Sequence, residues 1–150
     1  DKKSFYGLAP GKTVGLRYAG NVTCTGVEKD SSGAVTALTA TYEHERTSKP
    51  KGNLHWVAAA DAVDVEVRCY GALFTVAEPD PERWREQVNA DSLEVFRHAK
   101  GDPELAKAAP GTAYQFERAG FFTADADSSD SRPVFNRTVG LKESRTKRAL

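Results

Sequence analysis

The sequence has few residues of the kinds that form cross-links and metal sites, with two cysteines and three histidines in 150 residues. Cys24 and Cys69 have no nearby Cys or His partner, so we expect reduced thiols rather than a disulfide framework or a zinc site. The chain also lacks any apolar run close to the roughly 20 residues of a membrane span, and it has no signal-peptide pattern. These absences predict a metal-free globular chain that is cytoplasmic and makes no membrane contact.

The chain also lacks a net charge, because 21 basic residues balance 21 acidic ones. The balance is uneven along the chain: residues 1–60 hold 8 Lys and Arg against 5 Asp and Glu, residues 61–110 hold 6 against 11, and residues 111–150 hold 7 against 5. Basic ends around an acidic middle are compatible with one phosphate-facing side, and equally with ordinary solvated surface. Charge alone therefore does not decide whether a nucleic acid is the partner.

Turn residues between β-rich runs indicate antiparallel strands in the first part of the chain. The segment Asp30-Ser31-Ser32-Gly33 separates residues 22–29 from residues 34–42, which predicts a hairpin. A polar loop over residues 43–51 then leads into a strand at residues 53–57, again as in a hairpin. The histidine in that second strand is interpreted as structural rather than as a metal ligand.

Two further stretches alternate apolar and polar residues with the period of a strand. The first, residues 14–18, places Val14, Leu16 and Tyr18 on one face and Arg17 on the other. The second, residues 63–70, places Val63, Val65, Val67 and Cys69 toward a core and Asp64, Glu66 and Arg68 toward solvent. Both patterns predict sheets with one buried face.

The middle of the chain mixes strands with two short helices. Residues 81–88 begin with Pro81 after Asp80, and residues 102–108 begin with Asp102-Pro103. Each Asp-Pro pair suits an N-cap followed by the first helical position. Residues 92–96 are predicted to form a strand between them, and residues 73–76 a short extension of the preceding sheet. No internal repeat is evident, and the whole pattern predicts an all-β architecture.

Residues 111–141 contain two β-rich runs joined by a polar loop, which we interpret as a β-hairpin. Once the apolar positions are assigned to the core, amide and guanidinium groups remain that can hydrogen-bond a base edge in two places, those of Gln115, Arg118, Asn136 and Arg137. None of them is a nucleophile or a proton carrier at neutral pH, so the pattern indicates recognition rather than catalysis. Gln115 and Arg118 would face opposite sides of a regular strand, so the strand is expected to bend or end near Ala119-Gly120.

The same residues carry a family resemblance. The segment Tyr114-Gln115-Phe116-Glu117-Arg118-Ala119-Gly120-Phe121-Phe122, followed by Val134-Phe135-Asn136-Arg137-Thr138-Val139, resembles the end of the anticodon-binding region of glutaminyl-tRNA synthetases, in which QFER-x-G-[YF]-F and VFNRTV-x-L recur. Upstream, the sequences LAPGK, VEKD and KGNLHWV resemble the same family in the same order. The similarity covers residues 8–142, which is nearly the whole chain.

The resemblance implies two small β-barrels that exchange strands, with one or two short helices, a fold shared with a ribosomal protein that binds rRNA. We expect residues 1–60 to form the first barrel portion, residues 61–141 the second, and residues 142–150 a basic, disordered tail. In the family this region begins several dozen residues before the point that matches Asp1. One barrel is therefore expected to lack strands here.

The resemblance also implies the function of an anticodon reader in an enzyme that joins glutamine to tRNA(Gln). The expected partners are the tRNA anticodon loop and a catalytic domain of the same chain, which would use ATP. The residues present here would form no catalytic, cofactor or metal site, and we expect a monomer. The alternatives are a structural or rRNA-binding barrel without anticodon specificity and a β domain that binds proteins.

Individual roles follow from the positions that match the family. The residues matching Gln115 and Arg118 contact the middle anticodon base, and the one matching Arg17 contacts the first base or its phosphate. Lys142 stands where the family frequently has a basic residue, so we expect it to contact a phosphate. The family often has Lys-Arg where this chain has Tyr6-Gly7, so contacts to the third base are assigned to Lys12, Lys2 or Lys3, or to stacking by Tyr6. Arg137 shares parity with Phe135, Val139 and Leu141, which favours a buried or barrel-mouth ion pair over RNA contact.

Overall fold

The structure, a computed structural model, describes residues 5–141. The predicted phosphate contact Lys142, the alternatives Lys2 and Lys3, and the tail at residues 142–150 lie outside the described residues. The chain divides into two compact units between Trp56 and Val57, here called unit 1 and unit 2. Each unit has its own β-sheet, which confirms the all-β class. No helix in the described part is long and apolar enough to cross a membrane.

Unit 1 is a four-stranded sheet. Its strands are β1 (Thr13–Leu16), β2 (Asn21–Lys29), β3 (Val35–Glu43) and β4 (Asn53–Leu54), in the order β3-β2-β1-β4. The predicted β2–β3 hairpin is confirmed, and its turn is held by the Asp30 carboxylate, which accepts from the amides of Ser32 and Ala34 at 2.8 and 3.0 Å. Gly33 supplies the positive φ of 85° that this turn requires.

The second predicted hairpin of unit 1 is wrong. Strand β4 is only two residues long and pairs with β1 in parallel, because the polar loop before it carries the chain past β1 instead of back along β3. The buried Asn21 anchors this loop by donating to the Ser48 carbonyl at 2.9 Å and to the Glu43 carboxylate at 3.1 Å. His55 follows β4 and is exposed, so its predicted place within a strand is wrong.

Unit 2 is a five-stranded sheet. Its strands are β5 (Val63–Tyr70), β6 (Leu93–Gly101), β7 (Ala113–Phe116), β8 (Gly120–Ala124) and β9 (Val134–Gly140), in the order β6-β5-β9-β8-β7. The β5–β9 pairing is parallel and the others are antiparallel. The core lies on one face and contains Val65, Val67, Cys69, Leu105, Phe122, Ala124 and Phe135. The inward positions predicted for β5 are thus confirmed at Val65, Val67 and Cys69.

One outward position of β5 is an exception, since Glu66 is 3% exposed. The prediction that it faces solvent is wrong because three arginines cover it. Its carboxylate lies 2.8 Å from Arg68, 3.3 Å from Arg97 and 3.7 Å from Arg132. A carboxylate can be buried when its charge is paired and its oxygens accept hydrogen bonds.

The connections of unit 2 are less regular than predicted. Residues 73–76 form no strand, and only an isolated bridge joins Phe74 to Val88. The first predicted helix shrinks to a 3₁₀ turn, Trp84–Gln87, although the Asp80 carboxylate accepts from the Glu82 amide as the predicted cap would. The second is a 3₁₀ helix, Pro103–Lys107, and its predicted cap is confirmed.

Residues 113–140 form three strands in a meander, not one hairpin with an interrupted first strand. The predicted break at Ala119-Gly120 is a tight turn in which the Ala119 amide donates to the Phe116 carbonyl at 3.0 Å. Gly120 has φ 146°, and a Cβ there would lie 2.5 Å from the Val139 carbonyl oxygen. The predicted hairpin with its long polar loop is the β8–β9 pair, and the β7–β8 turn was not predicted.

The structure also reveals an internal repeat, so the expectation that there is none is wrong. Residues 8–24 and 108–124 align without a gap, with identical residues at Ala9/Ala109, Pro10/Pro110, Gly11/Gly111, Ala19/Ala119, Gly20/Gly120 and Thr23/Thr123. Both segments enter through a glycine of positive φ, whose amide donates to the Cys24 carbonyl within β2 at 3.0 Å in unit 1 and to the Ala124 carbonyl at the end of β8 at 2.8 Å in unit 2. Both then turn through a residue of positive φ, Tyr18 at 61° and Arg118 at 64°. The strand residues between these turns differ, which hides the repeat from a pattern search.

Candidate nucleic-acid interface

The β7–β8 turn presents the two residues that the sequence pointed to most strongly. Tyr114 and Phe116 point toward the core of unit 2, and Gln115 between them is therefore exposed. The strand ends at Phe116, and Arg118 is exposed in the turn that follows. The strand does end near Ala119, as the spacing predicted. Gln115 and Arg118 therefore belong to one hairpin, and Arg118 is not forced onto the opposite face of a regular strand.

An aromatic cluster holds β7 rigidly on the sheet. The rings of Phe116 and Phe122 stack with centroids 4.4 Å apart, and Phe135 lies edge-on to Tyr114 at 5.6 Å and to Phe116 at 5.2 Å. Phe135 is fully buried. Groups that select a base must be held by a packed support, and this cluster supplies one directly beneath Gln115.

Phe121 is a candidate contact that the sequence analysis missed. It lies directly opposite Gln115 in the β7–β8 pair and opposite Val139 in the β8–β9 pair, and it is 44% exposed. An exposed ring beside an amide suits a base that is stacked on its face and read on its edge. The signal was available, because Phe121 and Phe122 are adjacent in a strand and only one of them can face the core.

The two other polar residues predicted for base recognition, Asn136 and Arg137 in β9, differ in their contacts. Asn136 is occupied within the protein, since its amide donates to the Asp125 carboxylate and its carbonyl oxygen accepts from the Tyr70 hydroxyl at 3.4 Å. Arg137 is exposed and forms no ion pair within residues 5–141. The expectation of a buried or barrel-mouth ion pair for Arg137 is therefore wrong, because Val139, two residues on, is exposed as well.

In unit 1, Arg17 lies in the β1–β2 turn and not on a strand. Strand β1 ends at Leu16, so the predicted alternation through Tyr18 is wrong, and both Arg17 and Tyr18 are exposed. The Arg17 guanidinium lies 4.7 Å from the centre of the Tyr18 ring and donates to the Tyr18 hydroxyl at 3.2 Å. Lys12 is half-buried and donates to the Phe5 carbonyl at 3.2 Å. The structure thus places Gln115 and Arg118 on one hairpin of unit 2, while Arg17 and Lys12 belong to unit 1.

The strongest electrostatic feature of unit 2 lies around the buried Glu66. The hydrogen bond from Arg68 to Asp127 first, and that to Glu66 second, raise the pKa of Arg68 above its ordinary value. The Asp127 backbone amide, followed by the Asn136 side chain, lowers the pKa of Asp125 below its ordinary value. The ion pair between Arg68 and Asp127, at 2.8 Å, ties the β8–β9 loop to β5.

Comparisons with known proteins identify a family for this chain. Two family models, both described as anticodon-binding domains of class I tRNA synthetases (E and Q), match residues 53–125 and residues 1–43. Together with the two sheets, they define an all-β nucleic-acid-binding module. The chain belongs to the family of anticodon-binding domains of class I tRNA synthetases (E and Q).

Similar proteins include glutamine–tRNA ligases of bacteria and eukaryotes. The chain is 44% identical over 148 residues to the enzyme of Nitrobacter hamburgensis, with 94% of the chain and 26% of the relative covered. It is 42% identical over 151 residues to a cytoplasmic enzyme of Arabidopsis thaliana (96% and 19%), and 40% identical over 150 residues to a probable one of Dictyostelium discoideum (98% and 19%). The chain therefore spans about a quarter or less of the curated relatives it matches.

Proposed function

We propose that this chain is the anticodon-reading part of a glutamine–tRNA ligase and binds the anticodon loop of tRNA(Gln). The observation that carries the proposal is the β7–β8 turn, where an amide, a guanidinium and an exposed aromatic ring lie on one rigidly supported hairpin. The names of the similar proteins support the choice of glutamine. In the whole enzyme, a catalytic domain of the same chain would use ATP to join glutamine to the tRNA whose anticodon has been recognised.

The proposal assigns roles to the residues predicted from the sequence. Gln115 and Arg118 hydrogen-bond the edge of the middle anticodon base, and Phe121 stacks on its face. Arg17 lies at the first base, Lys12 contributes at the third, and Lys142 binds a phosphate. The chain acts as a monomer in the cytoplasm and holds no ATP, metal or catalytic residue of its own.

The test is a titration of the chain with an anticodon stem-loop RNA and with versions altered at each anticodon position. An anticodon reader should lose about 1–3 kcal/mol of binding free energy for each wrong base. A barrel that reads only RNA shape, as an rRNA-binding module would, should bind all versions equally. Equal affinities would therefore overturn the proposal.

Two variants locate the recognition on the β7–β8 turn. Gln115→Ala and Arg118→Ala should each weaken binding to the cognate stem-loop by about 1–3 kcal/mol, and the loss should shrink when the middle base is already wrong. Arg85→Ala, which removes an exposed arginine from the 3₁₀ turn of the same unit, is the matched control and should bind normally. Lys142→Ala should weaken all RNAs alike and reduce the dependence of binding on salt.

A further inference from the structure

Strand β4 and the residues that follow it fix the backbone of Arg17 in unit 1. The Gly15 amide donates to the Gly52 carbonyl at 2.9 Å, and the Arg17 amide donates to the Leu54 carbonyl at 2.9 Å. The contact between β1 and β4 therefore continues past Leu16, where β1 ends. The Trp56 indole N–H then donates to the Arg17 carbonyl at 2.9 Å. Both backbone polar groups of Arg17 are thus held from the same side.

The Trp56 indole occupies a place that a backbone amide would fill in a longer strand. In a parallel ladder, a residue donates to one residue of the partner strand and accepts from the residue two positions further on. Because Arg17 donates to Leu54, a regular ladder would bring the backbone amide of Trp56 to the Arg17 carbonyl. Strand β4 has already ended at Leu54, and the side chain of Trp56 supplies the donor.

The corresponding part of unit 2 is built without this third strand. In the sheet of residues 57–141, β7 has one neighbour, β8, whereas β1 lies between β2 and β4 in unit 1. The position that corresponds to Arg17 in the internal repeat holds Glu117. The additional strand therefore accompanies the turn that carries the arginine.

Holding the backbone of Arg17 matters if its side chain meets RNA. The inference that follows rests on the proposed function, which places Arg17 at the first anticodon base. Groups that recognise a ligand must be kept close to the productive geometry by their surroundings, and ordering them before binding reduces the entropy lost on binding. The Arg17 guanidinium is also oriented by its bond to the Tyr18 hydroxyl at 3.2 Å.

We propose that Trp56 is a positioning residue for Arg17, whose indole N–H holds the Arg17 carbonyl so that the guanidinium is directed to the RNA before binding. Trp56 is 43% exposed and itself binds no nucleotide in this role. Its effect on RNA binding therefore passes through the Arg17 side chain.

The test is a double-mutant cycle in which Trp56→Phe, Arg17→Ala and the double variant are titrated with the cognate anticodon stem-loop. Phenylalanine keeps a ring and removes the N–H donor, so binding should weaken about 3- to 10-fold, the loss expected for one hydrogen bond. In the Arg17→Ala background, the same substitution should change binding by less than about twofold. Discrimination against a wrong middle base should be unchanged in Trp56→Phe, because Gln115 and Arg118 belong to unit 2.

Trp84→Phe is the matched control, because Trp84 in unit 2 is 44% exposed and should bind RNA normally when changed. Hydrogen exchange of the Gly15 amide reports on the pairing of β1 with β4, and this amide should stay protected in Trp56→Phe. Lost protection would show that Trp56 stabilises the strand pair as a whole, which contradicts a specific role in orienting Arg17.

Three other results separate the inference from the proposed function. Unchanged binding by Trp56→Phe, or an equal loss with and without the Arg17 side chain, would overturn the positioning role while middle-base discrimination stays intact. Normal binding by Arg17→Ala would overturn it as well, since there would be no contact to position. A chain that binds all anticodon versions equally would instead remove the proposed function on which the inference rests.

Discussion

Replacing Glu66 with glutamine tests whether the buried carboxylate stabilises unit 2. The substitution keeps the shape of the side chain, but it removes the charge that faces Arg68, Arg97 and Arg132. An amide nitrogen also takes the place of one of the carboxylate oxygens that accept from these arginines. Donors then face donors in a site that is 3% exposed, where unmade hydrogen bonds are costly.

The size of the effect depends on how much of each arginine remains in water. Breaking a buried ion pair by removing one partner costs about 3–5 kcal/mol, and a hydrogen bond to a charged group is worth about 1.5–3 kcal/mol. Arg97 and Arg132 are 66% and 56% exposed and recover much of their hydration, while Arg68 keeps its bond to Asp127. We therefore expect Glu66→Gln to lower the free energy of unfolding by about 2 kcal/mol, roughly 30-fold in the folding equilibrium.

Urea denaturation followed by circular dichroism measures this difference, and hydrogen exchange of the β5 and β9 amides locates it in unit 2. Asp64→Asn is the control on the same strand, because its ion pair with Lys100 is about half exposed on both sides and should leave the midpoint nearly unchanged. If both variants shift the midpoint equally, or if neither does, the buried network does not stabilise the sheet as argued.

The remaining predictions concern backbone geometry and pH. Gly120→Ala should destabilise the β7–β8 turn by about 1 kcal/mol or more, because it places a Cβ 2.5 Å from the Val139 carbonyl oxygen at φ 146°, whereas Gly140→Ala has open space and should be nearly neutral in the same denaturation assay. The Asp127 amide lowers the pKa of Asp125, so the stability it contributes should be present above pH 4 and be lost as pH falls below its ordinary value of 3.8. Asp125→Asn should flatten that acid dependence in unfolding scans between pH 5 and 2, and an unchanged slope would show that this carboxylate is not responsible.

Strands with a clean period of two could be predicted from the sequence, and positions set by tertiary pairing could not. The alternation in β5 identified Val65, Val67 and Cys69 as core residues because the side-chain period of a strand is fixed by its geometry. Glu66 broke the same pattern, since its burial depends on arginines from β6 and from the β8–β9 loop. The parallel pairing of β4 with β1 could not be predicted either, because the residues of a loop do not determine which strand the chain pairs with after it.

In the candidate site, too, some residues could be predicted from the sequence and others could not. Gln115 and Arg118 could be selected because their side chains had no use in a core, and Gly120, two residues after Arg118, indicated that the strand bends or ends there. Tyr18 could not be distinguished from a core residue, because it continues the alternation of Val14 and Leu16 and only the turn reveals its exposure. Aligning the two Ala-Pro-Gly segments would have placed it opposite Arg118.

The duplicated turn also bears on how base preference can evolve or be redesigned. The backbone of each copy depends on a shared Pro-Gly entrance and a shared Ala-Gly exit, so the amino acid between them at position 18 or 118 can change in a single step while the loop path is preserved. The neighbouring position is not interchangeable in this way. Installing an edge-reading amide at Gly15 would displace the ends of the Asn53 and Arg46 side chains, which are joined by a 3.0 Å hydrogen bond, so a change at position 15 is coupled to those two residues in a way that a change at position 18 is not.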